Sequence, residues 1–181
     1  MSYLPGLEPA VPPSLPDGDG DEWYTPRKVL DAVAALAADG IDLDPCYAPR
    51  SLVDARHVID ARSGGDGLRD SWPGDGLVWC NPPYSDVEPW LRRCCNASVS
   101  RDVVLLIPMR PETKAWQQWV WGSGAVVVIH TGRLSFVATD GTTPGGGMIT
   151  TAFVTWSVPL ALRLAEELRA RGIDSRAVGV L

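Results

Sequence analysis

Apolar positions along the chain follow two different periods. Val29, Leu30, Val33, Leu36 and Ala37 recur at helical spacing, with Thr25 and Pro26 before them and Gly40 after. Thr25 as N-cap, Pro26 at the first helical position and a closing glycine predict a helix over about 26–39. Short apolar runs follow: IDLDPC at 41–46, LVWC at 77–80, VVLLIP at 103–108 and AVVVIH at 125–130. Between them, EPWLRRCCNAS (88–98) and ETKAWQQWVWG (112–122) read as helices, and 47–76 reads as a polar connection mixing charges with glycines. Continuous Val, Ile and Leu runs joined by helices predict an α/β fold whose mostly parallel sheet is covered on both faces.

The last third changes character. GRLSF (132–136) and ITTAFVTW (149–156) bracket a glycine-rich stretch at 137–148, which predicts a C-terminal hairpin with a long tip. PLALRLAEELRARG (159–172) has a helical apolar stripe, and SRAVGVL offers a last strand. Residues 1–22 hold five prolines, the acidic run DGDGDE and no periodicity, the composition of a disordered arm. The remainder, 23–181, has room for one domain.

No apolar run reaches the roughly 18 residues that span a bilayer, and the first residues lack both a basic start and an apolar stretch, so a cytoplasmic protein is expected. The four cysteines, Cys46, Cys80, Cys94 and Cys95, are then expected as reduced thiols, and their spacing lacks the paired C-x₂-C of a zinc site. No metal is expected. With 16 Lys plus Arg against 22 Asp plus Glu, the net charge of −6 argues against binding nucleic acid through a global basic field. Phosphate contacts would have to be local. Arg110 and Arg133 follow buried runs and suit that role, whereas Arg92 and Arg93 read as solvated helix surface.

The sharpest chemical signal is Asn81-Pro82-Pro83-Tyr84, directly after LVWC. Two prolines end a strand, so the tetrad falls at its carboxyl tip, where α/β sheets hold their ligands. The tetrad suits transfer to a planar exocyclic amine, a poor nucleophile because its lone pair is delocalised into the ring. Acceptors aimed at the amine hydrogens favour a more tetrahedral nitrogen. Asn81 offers a side-chain carbonyl, Pro82 presents a peptide carbonyl without a competing N–H, and Tyr84 supplies a ring on which a flipped base stacks. Phe136 serves either hairpin core or the base. Asp44 reads as a cofactor ligand or a helix cap, and Asp66 as a ligand or a turn residue.

Together with WYTP (23–26), LDPC (43–46), DGLRDSW (66–72), PW (89–90), LLIPMRPETKAW (105–116), GRLSF (132–136) and AFVTW (152–156), the block VWCNPPYS (78–85) resembles the phage-type DNA N6-adenine methyltransferases. The resemblance covers about 21–156, in order. It implies a Rossmann-like class I methyltransferase that uses S-adenosylmethionine to methylate adenine N6 in double-stranded DNA, in a phage or prophage setting. On that resemblance Asn81, Pro82, Pro83 and Tyr84 are catalytic. Tyr24, Thr25 and Pro26 fold over the cofactor's methionine end, Asp44, Pro45 and Cys46 end the first strand beside the cofactor, and Asp66, Gly67 and Leu68 meet its adenine. Arg110, Arg133 and Phe136 are expected on the DNA side. One departure stands out: the broader class carries a G-x-G turn after the first strand, and DPCYAPRS has no glycine. Two alternatives remain at this level: an amine or amide methyltransferase acting on RNA or a protein glutamine, and an inactive DNA- or cofactor-binding relative.

Overall fold

The computed structural model describes residues 24–48, 51–136 and 149–179. The expected arm at 1–22 and hairpin tip at 137–148 lie outside them. Among the described residues, seven strands form one sheet in the order β2-β1-β3-β4-β6-β5-β7. They are β1 (Ile41–Tyr47), β2 (Ala55–Asp60), β3 (Val78–Cys80), β4 (Val103–Pro108), β5 (Val126–His130), β6 (Thr151–Thr155) and β7 (Ser175–Gly179). β1 to β4 are mutually parallel, while β6 runs antiparallel to both β4 and β5, and β7 antiparallel to β5. The mostly parallel sheet expected therefore holds for β1 to β4, and antiparallel pairing enters through β6 and β7.

Successive strand residues face opposite sides of a sheet, which divides the apolar runs between two cores. Val104 and Leu106 of β4 point toward α1 (Arg27–Ala34) and α4 (Val158–Ala170), where they meet Val29, Val33, Leu164 and Leu168. Val103, Leu105 and Ile107 point the other way, onto α2 (Glu88–Ala97) and the helical segment around Trp116 and Val120. Helices on both faces explain why the strand runs contain so few polar residues.

Four expectations are corrected. The first helix begins at Arg27 with Pro26, not Thr25, at the N-cap, and its regular part ends at Ala34. The polar connection 47–76 contains a strand, β2. The helix over 112–122 is a short α3 (Lys114–Trp116) capped by Thr113, running into a wider π-turn at Gln117–Trp121. The C-terminal hairpin pairs β5 with β6, with Val128 opposite Phe153, and Gly132–Phe136 is not a strand. Leu134 and Phe136 turn into the α1/α4 core instead, so their apolar character reflects packing and not pairing.

A buried ion pair fixes the approach to β3. Arg101 donates to Asp42 Oδ2 at 3.0 Å, and its guanidinium also donates to the carbonyls of Pro73, Gly74 and Gly76. A rigid planar fork can tie a loop to a strand in this way because several of its donors are satisfied at once.

Candidate active site

From β1 the chain moves outward to β2, then returns to β3 on β1's other side, leaving a crevice at the carboxyl ends of β1 and β3. There a cleft of about 910 Å³ opens, walled by Asp44 to Ala48, Asp60 to Arg62, Gly65 to Gly67, Asn81 to Pro83, Trp90, and Tyr24 with Thr25 from ahead of α1. β1 is irregular at this point: its register with β2 shifts between Asp44 and Tyr47, and Pro45 within the shift has no N–H for a ladder.

Asn81 occupies the first position beyond β3. Its side-chain amide donates to Thr25 Oγ1 at 3.3 Å, and its carbonyl accepts from the Tyr84 hydroxyl at 3.0 Å. The Tyr84 ring in turn meets Phe136 edge to face, with centroids 6.3 Å apart. Asp44 is 3% exposed and accepts from the Cys46 backbone N–H at 2.9 Å. Burial pushes its carboxyl up to about 7, an effect that the hydrogen bond from Cys46 only partly offsets. No cation pairs with it among the described residues. Beneath it lies a stack of thiols: Cys46 Sγ is 3.3 Å from Cys80 Sγ, and burial raises Cys46, Cys80 and Cys94 above the ordinary cysteine range. Among the described residues no group of three or more His, Cys, Asp or Glu is placed to hold a metal ion, and no helix is long and apolar enough to cross a membrane.

The family described as DNA N-6-adenine-methyltransferase (Dam) matches residues 13–157, every element from α1 to β6. A protein of Haemophilus phage HP1 (strain HP1c1), described as a DNA N-6-adenine-methyltransferase, is 27% identical over 121 residues, which cover 66% of this chain and 68% of that one. The chain belongs to the DNA N-6-adenine-methyltransferase family. Its reaction is methyl transfer to adenine N6 in DNA, which requires a methyl donor.

Seen as a Dam-family site, the cleft gathers most of the residues marked in the sequence. Tyr24, Thr25, Asp44, Pro45, Cys46, Asp66, Gly67, Asn81, Pro82 and Pro83 line it, while Pro26, Leu68 and Tyr84 stand behind or beside the lining. Asp66 Oδ1 accepts from the Leu68 N–H at 2.9 Å, and Asp66 Oδ2 lies 3.4 Å from Arg69 Nε, so the carboxylate also organises its own turn. Gly67 backs onto the end of β1: a Cβ there would lie 2.1 Å from the Pro45 carbonyl oxygen and 2.7 Å from the Trp90 ring. Only a glycine fits at this contact between the 65–67 segment and the end of β1. Arg110 and Arg133 are exposed beyond the carboxyl ends of β4 and β5, and Phe136 is 5% exposed against Tyr84.

Sequence reasoning missed Asp60 and Trp90. Asp60 ends β2, accepts from the Arg62 N–H at 2.9 Å and caps a short 3₁₀ turn. The alternation in ARHVID before a glycine-rich turn was the available signal for an edge strand with an acid at its tip. Trp90 projects from α2; it stands in the PW block of the resemblance but receives no site role there, since a tryptophan at helical spacing reads as core.

Proposed function

We propose that this Dam-family protein is a Rossmann-like class I methyltransferase that takes S-adenosylmethionine in the 910 Å³ cleft and methylates an adenine turned out of double-stranded DNA beside Asn81. One observation carries the proposal: the Asn81-Pro82-Pro83 wall and the buried Asp44 carboxylate, which has no cation beside it among the described residues, open on the same crevice at the sheet's switch point. The cofactor supplies a methyl on a cationic sulfonium and carries a cationic α-amino group. Asp44 fits such a ligand, because a desolvated carboxylate gains most from a cation brought beside it.

In this reading Tyr24, Thr25 and Pro26 close the donor end, with Asp44, Pro45 and Cys46 opposite. Asp66, Gly67 and Leu68 form the adenine side, and Asp60 offers acceptors to the ribose hydroxyls. The Asn81 carbonyl and the Pro82 peptide carbonyl accept the hydrogens of the target amine and draw it toward tetrahedral geometry. The proline rings hold the Pro82 peptide carbonyl at low conformational freedom. Tyr84 gives the extruded base a stacking face, supported from behind by Phe136, while Arg110 and Arg133 meet phosphates.

Two measurements test this. Sequencing that detects N6-methyladenine is expected to find it in DNA from cells expressing the protein. Titration calorimetry with S-adenosylmethionine at pH 7, in buffers of different ionisation enthalpy, is expected to show release of about half a proton, because a group with its pKa near 7 is half protonated there and a bound cation drives it to the charged form. Unmodified DNA together with no cofactor uptake would overturn the proposal.

A further inference from the structure

We infer that Thr25 is a positioning residue for the transfer step, its hydroxyl holding the Asn81 side-chain amide at the angle that presents Oδ1 to the incoming amine. The inference rests on the proposed reading of Asn81 as the group that meets that amine. Prolines stiffen the backbone after Asn81 but leave its terminal torsion untouched, and that torsion is broad and two-fold in asparagine. Hydrogen bonds at its two ends therefore help to set the amide plane. One comes from the Tyr84 hydroxyl at 3.0 Å and the other runs to Thr25 Oγ1 at 3.3 Å, between residues 56 apart in the chain.

These two holds differ in what happens when substrate arrives. Tyr84 donates to Oδ1, the atom the target amine must also reach, so the two donors share its lone pairs or Tyr84 gives way. Thr25 accepts from Nδ2, on the side of the amide that the amine does not use. It can stay in place throughout the reaction. Its surroundings suit that role: Thr25 is 3% exposed, and the cap position of α1 falls to Pro26, leaving the hydroxyl free of helix capping. Without the acceptor at Thr25 the amide loses its hold at Nδ2 and presents Oδ1 to the amine less often.

The experiment compares Thr25→Val and Thr25→Ser with the parent, measuring single-turnover methylation at saturating S-adenosylmethionine and DNA, and the cofactor dissociation constant by calorimetry. Thr25→Val keeps the side-chain shape and removes the acceptor, so the single-turnover rate at saturating cofactor is expected to fall about tenfold, whatever the change in the dissociation constant at this cleft-lining position. Thr25→Ser restores the hydroxyl and is expected to bring the rate back to within about threefold of the parent. Transfer by Thr25→Val at the parent rate would overturn the inference, as would a rate loss removed by raising the cofactor concentration, which would make Thr25 a donor-binding group only. Should Thr25→Val fail to fold, Thr25→Ala carries the same expectation. Asn81→Ala separates the levels, since normal transfer by that variant would bring down the reading of Asn81 and not merely the role of Thr25.

Discussion

Asp44 carries a cost that only a ligand relieves. Its carboxyl stands at about 7 in the folded protein against an ordinary 3.8, raised first by burial. A folded-state value above the unfolded one means that the native protein binds more protons through that window. The stabilising contribution is therefore complete below about pH 4 and is lost as the pH rises through about 7. Asp44→Asn is expected to flatten this pH dependence and to raise stability at pH 8 by up to about 4 kcal/mol, while weakening cofactor binding. Urea midpoints at pH 5 and pH 8 check the first part: an unchanged slope between them would show that Asp44 ionises without penalty. At Asn81 the expectation concerns rate. Asn81→Ala should lose about 10²–10³ in transfer, as when a preorganised hydrogen-bond donor is removed from an oxyanion hole, with cofactor affinity nearly intact.

At the level of elements, what was legible in the sequence were the segments whose neighbours cover them on both sides. VVLLIP and AVVVIH read as strands because helices on each face leave no place for a polar residue. β2 escaped notice because it is an edge strand with only Ile59 buried, and Val58 is 44% exposed. The 132–136 segment misled for the opposite reason, since Leu134 and Phe136 are buried without belonging to any strand. In SGGDG the sequence left Asp66 open between ligand and turn residue and gave no sign of the contact Gly67 makes with the Pro45 carbonyl oxygen, in the space a Cβ would take. Gly67→Ala must shift backbone on one side of the cleft. The expected loss is about 1–3 kcal/mol of stability, read from the melting temperature, together with weaker cofactor binding.

On the scale of the whole molecule, the carboxyl edge of the sheet assembles what the chain keeps apart. The tetrad was visible in the sequence because its chemistry lies in adjacent residues, whereas the Thr25 to Asn81 bond joins positions that only the fold brings together. The same edge carries Arg110 and Arg133, two exposed cations on a chain of net charge −6. If each neutralises one phosphate, Arg110→Ala and Arg133→Ala should weaken binding to all DNA sequences alike and lower the slope of log affinity against log salt by about 1 each. Unchanged slopes would move the DNA to another face.

The thiol stack under the cleft has a practical consequence. Cys80 and Cys94 have no exposed surface, and burial holds both in the unreactive thiol form, whereas Cys95, their neighbour on α2, is only half-buried. Alkylation at pH 8 should therefore mark Cys95 quickly and leave the other two unlabelled until the sheet parts from α2. Mass spectrometry of timed alkylation would then separate local opening from global unfolding within one sample, with Cys95 as the control for reagent access and Cys80 as a clock for the lifetime of the native state.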